Sequence, residues 1–437
     1  METNPLPEKL SAKKKGTFAF KTVADRLPKI LTKVIDTTYQ YRLKAAELYG
    51  EEGANDCKVL TGYLSKLRNC IQTDKPMYMI TDGGEDEDMW NRVLKEETES
   101  RQGVPPSAFT TSWLYLECFM YRCIMEGINK SHHLQNFDPF GDQKRQALET
   151  SKDAMITLAS YLEEVLPKKG VGFESFSEFV QISLWGNKCD LSISAGVENS
   201  QKISPVAPLK QLKAFILVND LEQVWKVGQQ AFNSGNKQQF RLDIVLDNAG
   251  FELFTDLCLA EFLLSTGLVE SVHMHYKAMP WFVSDVTAED FSWTLQQLSA
   301  SDHATLSTLG KKWLQYVKDG KWVLHNHKFW TTCHAFCEMK LISPDLYQEL
   351  SNSSFIFLKG DLNYRKLVGD REWNHTESYE RALGGFHPAP LCALRTLKAD
   401  LVVGLKEGVD AKIEAKNSDW MVTGEYAVIQ YSSKIAL

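Results

Sequence analysis

Oxygen-bearing side chains follow three apolar runs in the second half of this 437-residue chain. RLDIVL is followed by Asp247-Asn248-Ala249-Gly250-Phe251-Glu252, PWFV by Ser284-Asp285, and SFIFLK by Gly360-Asp361-Leu362-Asn363-Tyr364-Arg365. If such runs are parallel strands, their carboxyl ends converge, and loops and helix N-termini form a ligand site there. One aspartate at a strand end is commonly just a helix N-cap; three of them, two with an adjoining Asn or Ser, raise the case for a shared site. Two aspartates and an asparagine carbonyl drawn from these ends would be hard oxygen donors that suit Mg²⁺ or Mn²⁺ better than a thiol-seeking metal. A divalent ion placed there neutralises a phosphate oxygen and acidifies a bound water, so phosphoryl transfer is the natural reaction class. A phosphate dianion also needs protein cations, and Arg365, Arg395 and Lys398 lie in or beside the same loops. Glu252, in the first turn of the following helix, could reach back as a base or as an outer support for the ligands. Asp243 sits four strand residues, about 13 Å, before Asp247 and should be structural.

Two other groupings carry less. His325-Asn326-His327, with Cys333, His334 and Cys337, has soft-metal ligand types, and the two cysteines would share a helix face. Trp322, Val323, Phe329, Trp330 and Phe336 surround them, so buried packing with incidental thiols is the better account. His273 and His275 share one face of a strand, and a ligand pair there is disfavoured. No G-x-G-x-x-G follows any expected strand, which argues against dinucleotide binding.

The elements that must hold these residues differ between the two halves. From Phe18 to about Leu184 apolar residues recur at helical spacing, as in Phe20, Val23, Leu27, Ile30, Leu31, Val34 and Ile35. The acidic run Glu85 to Asp88 before WNRVLKEE reads as a solvated helix cap. After Leu184 apolar runs alternate with amphipathic stretches, the rhythm of βαβ units: KAFILVND, RLDIVLDN, PWFVSDV, SFIFLKGD and LCALRTLKADLVVGL. Most lack polar alternation, so both sheet faces should be covered. WMVTGEYAVIQY reads as a strand pair turned at Thr423-Gly424 on a sheet edge. The expected division is a flexible tail over 1–16, a helical domain over 17–193 and an α/β/α domain over 194–437, joined by a connector near 194–211.

Composition narrows the class. With 43% hydrophobic and 24% charged residues the chain is no disordered polymer and can bury a large core. Lys plus Arg number 49 against 56 for Asp plus Glu, so a sequence-independent grip on nucleic acid is disfavoured. The cysteines, at 57, 70, 118, 123, 189, 258, 333, 337 and 392, are scattered and odd in number, and no apolar leader follows METNPLPEKLSAKKKG. No window approaches a membrane span. A cytoplasmic address is expected, with nuclear entry left open.

The ordered motifs RLPKIL, Trp90-Asn91, Trp113 with LECFMYR, Phe137-Asp138-Pro139-Phe140, WGNKCDLS, DNAGFE, VSDV, KGDLNYRK and RTLKADLVVGL run the length of the chain. Together they resemble the metal-dependent damage-control phosphatases of the domain-of-unknown-function class, with RTLK marking the branch also called acidic residue methyltransferase or protein-glutamate O-methyltransferase. The resemblance implies an N-terminal helical domain packed on a Rossmann-like α/β/α sandwich with a mostly parallel sheet. It implies Mn²⁺, Mg²⁺, Co²⁺ or Ni²⁺ on Asp247, Asn248 and Asp285. Catalytic roles fall on Asp247, Asn248 and Glu252, and substrate contacts on Asp247, Asn248, Asp361, Leu362, Asn363, Tyr364, Arg365 and Lys398. The implied substrates are small sugar phosphates, ketose phosphates such as fructose 1-phosphate and fructose 6-phosphate. The branch's second name implies instead S-adenosylmethionine as methyl donor and a protein carboxylate as acceptor. That chemistry requires no divalent metal, so the Asp-Asn-Asp set favours the phosphatase.

Overall fold

The computed structural model describes residues 5–166, 172–186, 206–233 and 240–433. Cys189, most of WGNKCDLS and residues 194–205 of the expected connector lie outside the described residues. The first half holds α1 (Leu27–Gln72), α2 (Glu87–Ser100), α3 (Trp113–Asn129), α4 (Gly141–Thr150), α5 (Lys152–Val165) and α6 (Phe173–Leu184). There follow β1 (Ile216–Asn219), α7 (Leu221–Asn233), β2 (Arg241–Val245), α8 (Phe251–Ser265), β3 (Ser271–Tyr276), α9 (Ala288–Ser299), α10 (Ala304–Lys318) and β4 (Trp322–Asn326). The chain continues with α11 (Pro344–Leu350), β5 (Phe355–Lys359), α12 (Gly360–Leu367), β6 (Leu391–Thr396) and β7 (Ala427–Ser432).

The strands form one sheet in the order β1-β7-β6-β5-β2-β3-β4, parallel throughout except where β6 meets β7. From β2 the chain moves out to β3 and β4, then returns to the other side of β2 as β5. The β2/β5 junction is therefore a switch point, where open α/β sheets leave a crevice at the strand ends. Strand periodicity sorts the faces: Leu242, Ile244 and Leu246 join the core beneath α8, while Val245, with Asp243 and Asp247 on its side, faces the N-terminal helices. Helix α8 is buried from Phe251 to Leu263, as its nearly all-round apolar sequence requires. Side chains of α5 and α6 share that same core, so this part of the expected helical domain supplies an outer layer of the sandwich.

Helix α3 is likewise buried along its length, yet it carries charge. Arg122 donates to Asp82 at 2.8 Å and to Asp86 at 2.8 Å. The acidic run before α2 is thus not merely a solvated cap: Asp86 also accepts from the Trp90 indole at 3.0 Å.

Several expectations change. PWFVSDV is not a strand but a tight turn with Phe282 and Val283 at φ 43° and 72°; the neighbouring strand is Ser271–Tyr276. The last strand is single and lies inside the sheet, between β1 and β6, rather than as a pair at its edge. Residues 5–16 are not a free tail, because Leu10 is buried and its backbone bonds Asp370 and Trp113, each at 2.8 Å. Cys333 and Cys337 share no helix; a loop and a short 3₁₀ turn carry them. Asp243 is buried and paired with Arg241 at 2.8 Å and His275 at 2.7 Å. No helix among the described residues is long and apolar enough to cross a membrane.

Candidate active site

The loops after β2 and β3 are zipped together by backbone. Ala249 N–H donates to Ser284 at 2.7 Å, Val286 N–H to Asp247 at 2.9 Å, and Asn248 bridges Asp285. Asp247, Asn248 and Asp285, which were 38 positions apart at their extremes in sequence (285 − 247), meet in this way on one cavity. The Asn248 amide donates to Asp247 Oδ2 and to Glu252 Oε2, both at 2.8 Å, and its carbonyl accepts from the Ser284 hydroxyl at 2.5 Å. Asp285 is held by Lys277 at 3.2 Å, whose ammonium also reaches the Leu246 carbonyl at 2.9 Å. The turn that presents Ser284 and Asp285 is braced where Phe282 stacks on Tyr121, centroids 4.8 Å apart. Left-handed backbone at two non-glycine residues costs energy that the surrounding packing must offset, and such strain concentrates at functional sites.

From the other side of the junction, β5 runs straight into Gly360 and Asp361, the first residues of α12. Asp361 Oδ1 accepts from Arg395 at 2.8 Å and from the Lys398 backbone at 3.1 Å. Burial pushes its carboxyl up, but Arg395 and Arg365 outweigh it and hold the group below the usual carboxylate range. Leu362 and Lys398 also line the cavity. Asn363 and Tyr364 do not. Asn363 donates to the Lys359 and Leu246 carbonyls, at 2.8 and 3.3 Å, and Tyr364 donates to Gln430 at 2.7 Å. Arg365 borders the cavity with its guanidinium already engaged: Glu117 at 2.6 Å, Asp370 at 2.8 and 3.1 Å, and the Trp113 ring 3.7 Å away. Glu252 stands behind Asn248, with the Lys359 ammonium 3.6 Å off.

The cavity measures about 120 Å³, and the helical layer supplies Arg26, Trp113, Glu117 and Tyr121 to its wall. Sequence reasoning missed Arg26, Glu117 and Tyr121 as wall residues, and Lys277 and Lys359 as supports. Lys277 directly follows the strand that carries His273 and His275, but its residue type alone does not mark it as a support; Arg26 ends a π-helical turn that leaves no signal in residue types. Burial, then Glu252 and Asp285, push the Asp247 carboxyl well up; burial pushes Asp285 up as well, against the pull of Lys277. Desolvated carboxylates crowded this way favour a cation between them, and with the Asn248 carbonyl they form an all-oxygen set that fits a divalent ion. Elsewhere, His273, His325 and Glu349 bring three ligand atoms within 4.8 Å of one another, an arrangement that also fits a divalent metal.

Residues 22–413 match the damage-control phosphatase ARMT1-like domain. The chain is 48% identical to damage-control phosphatase ARMT1 of Danio rerio over 435 residues, 98% of this chain and 97% of that protein. It is 43% identical to damage-control phosphatase ARMT1 of Homo sapiens over 438 residues, 98% of this chain and 99% of that protein. A crystal structure of a DUF89 family protein from Pyrococcus horikoshii aligns with a TM-score of 0.41 and 15% identity, over 86% of this chain and 98% of that one. A full-length match at this identity leaves one conclusion: the chain belongs to the damage-control phosphatase ARMT1-like family.

Proposed function

We propose that this enzyme hydrolyses phosphate monoesters of small, reactive metabolites, ketose phosphates such as fructose 1-phosphate and fructose 6-phosphate among them, in the cavity at the β2/β5 junction. The observation that carries the reading is the meeting of Asp247, Asn248 and Asp285 on a cavity that Lys398 and Arg26 also line. Both cations are exposed, and neither has an ion-pair partner among the described residues. Asp247, Asn248 and Asp285 would hold Mn²⁺, Mg²⁺, Co²⁺ or Ni²⁺, which when bound withdraws charge from a phosphate oxygen and acidifies a water.

The chain's own groups do the rest. Lys398 and Arg26 bind the phosphate, the arginine through its planar fork. Asp361, kept ionised by Arg395, accepts hydroxyl groups of the sugar. Trp113, Tyr121, Phe282 and Leu362 exclude water, which strengthens every charge–charge interaction inside. Glu252 works through Asn248, whose amide it fixes. Arg365 braces the wall by tying Glu117 of α3 to Asp370 after α12, rather than meeting the phosphate itself.

The test is release of inorganic phosphate from fructose 1-phosphate with Mn²⁺, set against the same protein in EDTA and against Asp247→Ala. Full activity in either control ends the proposal. Supplying S-adenosylmethionine and a glutamate-rich acceptor without metal separates the methyltransferase alternative, which methyl transfer surviving in Asp285→Ala would favour.

A further inference from the structure

Strands β3 and β4 pair so that His275 lies opposite His325, which makes His273 and His325 diagonal neighbours on one face. Their ring nitrogens, Nδ1 of His273 and Nε2 of His325, point at each other across 2.8 Å. Glu349, near the end of α11, closes the group from outside the sheet, so that all three ligand atoms fall within 4.8 Å. We propose that His273, His325 and Glu349 form a second metal site, separate from the phosphatase centre and selective for a borderline transition ion of the Zn²⁺ class.

The donor chemistry argues for that class. Two imidazole nitrogens and one carboxylate oxygen suit Zn²⁺, and in the same group Co²⁺, Ni²⁺ and Cu²⁺, whereas Mg²⁺ and Mn²⁺ favour oxygen sets like that of Asp247. Three protein ligands leave a fourth position for water, as tetrahedral zinc requires. The rings are held in place before any ion arrives. His325 stacks between His273, centroid 5.0 Å away, and His275, 4.7 Å away. His275 is anchored in turn by Asp243 at 2.7 Å, and Arg241 holds both Asp243 and Glu349 at 2.8 Å. Orientation fixed by packing and by hydrogen bonds to the ligands is what makes a site tight rather than loose.

Position argues for independence from the phosphatase centre. His273 lies in register with Asp243, and the strand from there to Asp247 spans about 13 Å. An ion here joins β3, β4 and α11 and touches none of the residues proposed to bind phosphate. The molecule would therefore hold ions in two separate places, and zinc bound at the histidines would not substitute for the ion at Asp247.

The test uses the full-length protein, stripped with a chelator and titrated with Zn²⁺ against a chromogenic competitor. Wild type and Asp247→Ala should both hold one zinc at this site with equal affinity. The His273→Gln/His325→Gln double variant and Glu349→Gln should each lose at least about tenfold, the loss that even an outer support of a ligand typically causes. Glu349 is partly exposed, so Glu349→Gln keeps the test decisive if the double variant does not fold. Mg²⁺-supported phosphate release should be unchanged in both. Failure of wild type to retain zinc, unchanged affinity in Glu349→Gln, or loss of the zinc in Asp247→Ala would each overturn the site.

Discussion

A methyl group built on Gly360 would stand 1.9 Å from Asp247 Oδ2, far inside any non-bonded contact the two could make. Gly360 begins α12 with φ at 85°, so the first turn of that helix folds directly onto the carboxylate at the end of β2. The switch point of the sheet is thus closed by backbone, and the position of Asp247 is defined from the β5 side as well as from its own strand.

Gly360→Ala tests this closure. The left-handed backbone would cost about 1–2 kcal/mol by itself, and the clash must push either the helix or the carboxylate aside. Displacement of a reacting group by about 1 Å can cost on the order of a hundredfold in rate. Phosphate release should fall by that order while a melting curve still shows a folded protein. Wild-type turnover would mean that Asp247 swings away freely and needs no fixed position.

The same carboxylate should weaken the metal-free protein. Asp247 is buried among Glu252 and Asp285, and an isosteric Asp247→Asn removes one of these crowded charges while keeping its hydrogen-bond acceptor. The variant should lose activity and melt higher than wild type in EDTA, by about 0.5–2 kcal/mol of stability, the range seen when strain at a site is relieved. Adding Mn²⁺ should raise the melting temperature of wild type and leave the variant unmoved, since an ion that binds only the folded state stabilises it by mass action. A variant less stable than wild type in EDTA would contradict the crowding.

Lys398 and Arg365 looked equivalent in sequence and should behave oppositely. Lys398→Ala removes an exposed cation, so KM for the sugar phosphate should rise with the melting temperature unchanged. Arg26→Ala should act the same way. Arg365→Met leaves Glu117 and Asp370 buried without their partner, a loss of about 3–5 kcal/mol. Urea unfolding alongside KM measurements separates the two; an Arg365→Met protein as stable as wild type would mean that the buried pairing contributes nothing.

How much could be read beforehand follows from where each residue's partners lie. The ends of β2 and β5 were legible because apolar runs stop abruptly at Asp247 and Gly360. The pairings of β3 were hidden because the two histidines of SVHMHY take partners, Asp243 and His325, that are 32 and 52 positions away. PWFV has strand-like composition, but Trp281 and Phe282 pack against Tyr121 as a turn. Arg365 sits where a phosphate ligand should, yet Glu117, 248 positions earlier, takes it up. Local spacing shows which elements form; it does not show which distant charge reaches a site first.

The Arg122 cluster gives the last prediction, one concerning stability alone. Arg122 and Asp82 have side chains 1% and 0% exposed, and Asp86 completes the group at 20%. Burial alone would raise the Asp82 carboxyl, but hydrogen bonds from Arg122 and Asn129 hold it down at about 2, against its ordinary 3.8. A depressed carboxyl contributes stability that is complete above its unfolded value and is lost as pH falls through the folded one. Arg122→Met should therefore cost about 3–5 kcal/mol in urea at pH 7, where the buried Asp82 and the half-buried Asp86 both lose the arginine's charge. The gap to wild type should narrow as pH drops from 3.8 toward about 2, because wild type forfeits in that window what the variant never had. A cost below about 1 kcal/mol, typical of surface pairs, or a gap that widens in acid, would show that Arg122 is not what fixes the 82–86 loop to α3.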